Sequence, residues 1–223
     1  MPLSPNFGER RGGLVPELVV IHYTAMESCA AAAARLCDPR HEVSAHYLLD
    51  YDGTLLALVP ETARAWHAGA GSWCGRDDIN SRSIGIELAN DGAEPFPEPQ
   101  MRALETLLAG ILARWNLPPE AVIGHSDMAP GRKTDPGARF DWRRLARTGL
   151  AVWPEPLGQT APAESFAAFV QRFGYPAAPT ETLLAAFRLR FRPWAKGSVD
   201  GLDAGLAQSL MLRFAIDQDG PVG

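Results

Sequence analysis

Paired cysteines, runs of basic residues and long apolar segments are all missing from this chain of 223 residues, and each absence removes a class of protein. A structural zinc ribbon needs thiolates at short spacing, yet Cys29, Cys37 and Cys74 form no CxxC pair. The net charge of -5, without a basic run, argues against nucleic acid as a partner. No apolar segment approaches the length of a membrane span, so membrane insertion is not expected. Residues 1–13 contain Pro2, Pro5, Glu9, Arg10 and Arg11 but no apolar core of a signal peptide. A cytoplasmic protein is therefore expected, or a periplasmic one if a leader has been removed. Cys29 and Cys37 bracket an alanine-rich stretch that reads as helix. Eight helical residues separate them by roughly 12 Å, beyond the ~7 Å reach of a disulfide, so packed thiols in a reducing compartment are expected.

What is present is ordinary globular material, 46% hydrophobic and 21% charged, enough for one sizeable core and a second small one. Leu18-Val19-Val20-Ile21 reads as a strand buried on both faces, ended by His22. A helix over Ser28 to Cys37 stops at Asp38-Pro39. Ser44 to Asp50 and Thr54 to Val59 flank Tyr51-Asp52-Gly53 and predict a hairpin, with His46 in core or cleft wall. A Gly-rich loop then carries Trp66, His67, Trp73 and Asn80, composition suited either to a ligand groove or to a plain surface connection. Ser83 to Ala89 is another apolar strand, interrupted by Glu87. A carboxylate in such a strand costs several kcal/mol unless it is paired or faces a wet or metal-bearing cleft. Past the stiff segment of Pro95, Pro97 and Pro99, the spacing of Met101, Leu104, Leu108, Ile111, Leu112 and Trp115 predicts an amphipathic helix packed on a sheet. Strands alternating with helices predict an α/β fold: a central, mostly mixed β-sheet flanked by helices, with functional groups at the carboxyl ends of strands. His22, Glu87 and His125 would meet at that edge.

The densest chemistry lies after the short strand Ala121 to Ile123. There Gly124-His125-Ser126-Asp127 leads into a loop, Ser126 to Gly137, that Pro130, Gly131, Pro136 and Gly137 make too broken for helix or strand. Taken singly, His125 and Asp135 also fit as turn caps and Lys133 as a solvated cation. Taken together with His22, they satisfy the donor count of a catalytic zinc site, which uses three protein ligands and leaves a fourth position for water. Glu87 would move the water proton to a leaving amine, and Lys133 would stabilise an oxyanion.

Val20-Ile21-His22-Tyr23-Thr24, Ala65-Trp66-His67-Ala68-Gly69, Ser83-Ile84-Gly85-Ile86-Glu87-Leu88 and the segment Gly124 to Gly137 occur in an order that resembles the type-2 N-acetylmuramoyl-L-alanine amidases, the AmpD- and AmiD-like zinc enzymes. The likeness spans about residues 14 to 150. It implies hydrolysis of the amide between N-acetylmuramic acid, including its 1,6-anhydro form, and L-alanine of a peptidoglycan stem peptide, in cell-wall turnover or recycling. It further implies Zn2+ held by His22, His125 and Asp135, with Glu87 and Lys133 catalytic. Tyr23, His67 and Arg132 lie beside cleft positions of the family and are expected to touch substrate. Relatives that only recognise peptidoglycan lack the third ligand. A non-hydrolytic muropeptide sensor is accordingly the alternative, favoured only by an empty metal site or a blocked cleft.

After residue 152 the composition changes. Residues 153–163, Pro- and Ala-rich, read as a linker, leaving residues 1–152 as the catalytic domain and 164–223 as a helical one. Helices are expected over Ser165 to Phe173, Glu181 to Arg190 and Leu202 to Ile216, with Phe166, Phe169, Phe173, Leu184, Phe187, Leu206 and Leu210 in their core. A module of about 60 residues is marginal alone, so docking on the catalytic domain is expected. Its Phe173-Gly174-Tyr175 and Phe191-Arg192-Pro193 segments resemble a small three-helix peptidoglycan-binding module, and a purely stabilising helical cap is the other reading. A muropeptide or peptidoglycan is the expected partner, and a monomer the expected state.

Overall fold

The computed structural model describes residues 4–155 and 160–215. In chain order the elements are β1 (Phe7–Gly8), β2 (Leu18–Tyr23), α1 (Cys29–Leu36), β3 (Tyr47–Leu49), β4 (Leu55–Ala57), β5 (Arg64–Ala65), α2 (Ile79–Arg82), β6 (Ser83–Leu88), α3 (Glu98–Trp115), β7 (Val122–Gly124), α4 (His125–Met128), α5 (Trp142–Arg147), α6 (Phe166–Phe173), α7 (Thr180–Phe191) and α8 (Gly201–Phe214). The main sheet has the order β4-β3-β6-β2-β7, and β1 pairs with β5 in a separate two-stranded ribbon. β3, β6, β2 and β7 run parallel, and β4 closes the edge antiparallel to β3.

β2 is the central strand, and its apolar run is buried on both faces. Val19 and Ile21 lie in one buried cluster with Leu104, Leu108 and Ile111 of α3, whereas Leu18 and Val20 lie in another with Phe166 and Phe173 of α6 and Phe187 and Phe191 of α7. Each of these buried β2 side chains contributes roughly 1.5–3 kcal/mol. β6 has a different pattern from the one expected. Ile84, Ile86 and Leu88 lie in the core beneath α3, while Ser83, Gly85 and Glu87 alternate onto the opposite face. Glu87 thus continues a small and polar stripe rather than interrupting an apolar strand.

Several boundaries shift for local reasons. α3 starts at Glu98, because Pro99 falls in the first turn, where its missing N–H has no helical partner to lose. It ends at Asn116, whose left-handed backbone (φ 51) caps the helix. In α1, Ser28 accepts from the backbone N–H of Ala31 at 3.1 Å. The hairpin strands are shorter than predicted, and His46 lies just outside β3 with its ring bonded to neighbouring backbone. His46 Nδ1 accepts from the N–H of Gly85 at 2.9 Å, and its Nε2 lies 3.1 Å from the Ala63 carbonyl. The loop after β7 opens with a helical turn, α4, where none was expected, since Asp127 Oδ2 reaches back to the N–H of Gly124 at 2.8 Å and caps it.

α6, α7 and α8 do pack together and share a core with Leu18, Val20 and Ile123 of the sheet. Of the predicted core residues, Phe166, Phe173, Leu184, Phe187, Leu206 and Leu210 are buried there, with Phe169 partly so. Ile216 and part of the proposed linker, residues 156–159, lie outside the described residues. No disulfide is formed among the described residues, and no described helix is long and apolar enough to cross a membrane.

Candidate metal centre and cleft

Parallel pairing delivers the site. His22 on β2 is the register partner of Glu87 on β6. Ile21 pairs with Gly124 on β7, so the next residue, His125, emerges level with His22 at the carboxyl end of the sheet. Asp135 is returned to this edge by the loop, whose Asp135 carbonyl accepts from the N–H of Ser126 at 2.9 Å. All eight residues singled out in the sequence line one cleft of about 400 Å³: His22, Tyr23, His67, Glu87, His125, Arg132, Lys133 and Asp135.

At its floor three donor atoms converge. His22 Nδ1, His125 Nδ1 and Asp135 Oδ2 lie 2.9 Å from one another, and all three residues are buried. The far nitrogen of each ring is already engaged. His125 Nε2 lies 2.8 Å from the carbonyl of Ala68, and His22 Nε2 lies 3.0 Å from His67 Nδ1. Each histidine therefore offers its Nδ1 inward, and two neutral nitrogens with one carboxylate oxygen are a donor set suited to a divalent transition metal. Two imidazole lone pairs and an anion at this separation repel one another unless a cation or a proton lies between them.

The electrostatics follow from burial. Desolvation, then the neighbouring His125, lower the His22 pKa to about 4, with Asp135 opposing them. Burial alone would raise Asp135. Hydrogen bonds from His125 and His22 outweigh it and hold this carboxyl well below the usual range. Glu87 moves the other way: burial, then the nearby charge of Asp135, push it up to about 8, with Lys133 opposing. Its Oε2 is shielded from solvent and has no hydrogen-bond partner. Such an acid is poised to exchange a proton near neutral pH.

The remaining side chains surround this floor. Lys133 is exposed at the cleft and joins no ion pair among the described residues. Tyr23 holds the rim, its hydroxyl 3.1 Å from Thr134 Oγ1. Arg132 directs its guanidinium at the carbonyls of Ala68, at 2.7 Å, and Ala70, so it fixes the loop that carries His67. His67 is packed behind His22, with Ser83 on its other side. Ser83, the Ala68 carbonyl and the buried Asp127 are participants that the sequence reading missed.

A cleft at the carboxyl ends of parallel strands, floored by two histidines and an aspartate with a raised-pKa glutamate beside them, has the chemistry of a metal-assisted hydrolase. The family model Amidase_2, N-acetylmuramoyl-L-alanine amidase, matches residues 12–138, and the chain belongs to this family. Among its relatives, N-acetylmuramoyl-L-alanine amidase AmiD of Escherichia coli is 35% identical over 235 aligned residues, covering 90% of this chain and 84% of AmiD. The structure of AmiD in complex with the substrate anhydro-N-acetylmuramic acid-L-Ala-D-gamma-Glu-L-Lys superposes with a TM-score of 0.83 at 31% identity, covering 95% of this chain and 99% of that one. AMPDH3 of Pseudomonas aeruginosa, in complex with anhydromuramic pentapeptide, gives a TM-score of 0.81 at 29% identity, covering 97% of both chains. The 1,6-anhydro-N-acetylmuramyl-L-alanine amidase AmpD of Escherichia coli is 40% identical over 159 aligned residues, which cover 64% of this chain and 87% of AmpD.

Proposed function

We propose that this chain is a zinc-dependent N-acetylmuramoyl-L-alanine amidase that hydrolyses the amide between the lactyl group of anhydro-N-acetylmuramic acid and L-alanine of soluble peptidoglycan fragments. The observation that carries the zinc is the convergence of His22 Nδ1, His125 Nδ1 and Asp135 Oδ2 at 2.9 Å, with both outer ring nitrogens engaged elsewhere. The substrate class is supported by the muropeptide complexes of AmiD and AMPDH3, whose folds this chain shares over nearly its whole length.

Zinc held by these three residues would lower the pKa of water and polarise the scissile carbonyl. Glu87, level with His22 on the neighbouring strand, takes the proton of the attacking water and returns it to the departing amine of L-alanine. Without metal, burial pushes its pKa up to about 8; the charge of zinc beside it would favour the carboxylate that accepts the water proton, and the protonated form then serves the departing amine. Lys133 places an ammonium group at the cleft, where it offsets the negative charge that grows on the carbonyl oxygen. Tyr23 and Arg132 shape the cleft wall against the muropeptide. The helices α6, α7 and α8 serve as an appended module whose docking completes the core beneath β2.

The test is release of the stem peptide from an anhydro-muropeptide by zinc-loaded wild type and by Glu87→Ala. Release by the wild type with little from the variant supports the reading. Equal release removes Glu87 from the mechanism, and binding without release by the zinc-loaded wild type makes the chain a sensor.

A further inference from the structure

The nitrogen that His22 turns away from the metal site begins a chain of hydrogen bonds whose direction is fixed at its far end. The carbonyl of Ile79 can only accept, so the Ser83 hydroxyl, 2.6 Å away, donates its one proton there. Ser83 Oγ is then the acceptor for His67 Nε2 at 3.1 Å, which places the His67 ring proton on Nε2. His67 Nδ1 is left with a lone pair and accepts the Nε2 proton of His22 at 3.0 Å. His22 must in turn carry its lone pair on Nδ1, the atom that faces His125 and Asp135.

We propose that Ser83 and His67 are positioning residues that fix the ring orientation and the metal-facing nitrogen of His22, so that His67 acts through a metal ligand rather than on the substrate. The surroundings hold this arrangement from three sides. Gly85, between Ser83 and Glu87 on the same face of β6, leaves the room that the His67 ring fills, and a Cβ there would collide with the ring. Asn80 Oδ1 accepts the backbone N–H groups of His67 and Ala68 at 3.1 and 2.9 Å, which anchors the loop. The rings of His22 and His67 meet edge to face at 78°, with centroids 5.1 Å apart, so the ring plane of His22 is set as well as its tautomer. Partners behind metal-ligating histidines act in this way in general, and their loss weakens metal binding about 10–100-fold. The small and polar positions of β6 thereby acquire a common purpose: Ser83 orients His67, Gly85 seats it, and Glu87 works beside the ligand it steadies.

The inference rests on the zinc reading above, and its test separates the two. Zinc dissociation constants, measured by chelator competition, are compared for wild type, His67→Phe, His67→Asn and Ser83→Ala, with thermal unfolding of the metal-free proteins as the check on folding. His67→Phe, which keeps a ring but no acceptor, is expected to lose about 10–100-fold in zinc affinity. His67→Asn restores an acceptor near the Nδ1 position and is expected to recover most of that loss, with Ser83→Ala intermediate. Nitrogen-15 correlation spectra of the zinc-loaded wild type are expected to show His67 with its proton on Nε2. Wild-type affinity in a folded His67→Phe, with only KM for the muropeptide raised, would make His67 a substrate contact and overturn the relay. A His67 proton found on Nδ1 would overturn it too. A wild type that binds no zinc would overturn the relay together with the reading beneath it.

Discussion

His22 and Glu87 are register partners on adjacent parallel strands, so the proposed zinc ligand and the proposed proton carrier sit level at the same edge of the sheet. The pairing fixes their relative height through backbone hydrogen bonds, and both side chains leave the same face. Substitution of either side chain therefore leaves the other in place, which makes the site open to dissection one residue at a time.

Glu87→Gln keeps the size of the side chain and removes its proton chemistry. The variant is expected to retain zinc and lose turnover by about 10²–10⁴-fold, the range for a positioned general acid or base. Zinc content and kcat measured on the same preparation check this. A variant with full turnover would transfer the proton work to another group.

The raised pKa of Glu87 also leaves a mark on stability in the metal-free protein. Folded Glu87 titrates at about 8, against the ordinary value of 4.5. Between those values the folded state keeps a proton that the unfolded chain has released, so the contribution of this group falls as pH rises through the window. Denaturant titrations in the presence of a chelator should show wild type losing stability relative to Glu87→Gln on the order of 1 kcal/mol per pH unit there. Zinc, by favouring the carboxylate, should flatten that slope.

Lys133 stands exposed at the cleft, and its truncation is expected to spare the fold. Lys133→Ala should lower kcat about 10²–10³-fold with zinc affinity nearly unchanged, the cost of removing one oxyanion donor. A change in KM alone would reassign the residue to substrate binding.

The docking of the helical module is tested at Asp127. This carboxylate is fully buried and accepts from Arg190 Nη1 at 2.7 Å and from the Tyr175 hydroxyl, while also capping the helix that begins at His125. Arg190 further stacks over Trp142, 4.0 Å from the ring centroid. Arg190→Met leaves an uncompensated buried charge and is expected to cost about 3–5 kcal/mol in denaturant unfolding. A loss below ~1 kcal/mol would mean that water or another donor replaces the guanidinium.

The parts of the site legible in the sequence are those that strand ends and local loop chemistry announce. His22 and His125 each follow a short apolar run, and Glu87 stands out as a carboxylate among isoleucines and leucine, so their meeting at one sheet edge followed from the α/β pattern alone. The third donor, Asp135, was marked by its Gly- and Pro-broken loop and by resemblance. Partnerships across long sequence separations were not legible. Asp127 finds Tyr175 and Arg190 at separations of 48 and 63 residues, and nothing local to any of the three announces the other two. His67 illustrates an intermediate case. Its loop was readable as groove or connection, but its engagement with Ser83 depends on β6 alternating Ser83, Gly85 and Glu87 onto one face. That alternation was visible, yet it was masked by the apolar reading of the same strand. The helical turn at His125 was hidden because Pro and Gly dominate the segment, whereas the capping contact of Asp127 decides its first residues.

The proposed chemistry depends on a zinc ion held by His22, His125 and Asp135. Zinc-edge anomalous diffraction from zinc-loaded crystals of the wild type and of Asp135→Ala tests it most directly. A single strong peak is expected, bounded by His22 Nδ1, His125 Nδ1 and an Asp135 carboxylate oxygen, and weakened or lost in the variant. A peak elsewhere, none at all, or one that persists unchanged without Asp135 would contradict it.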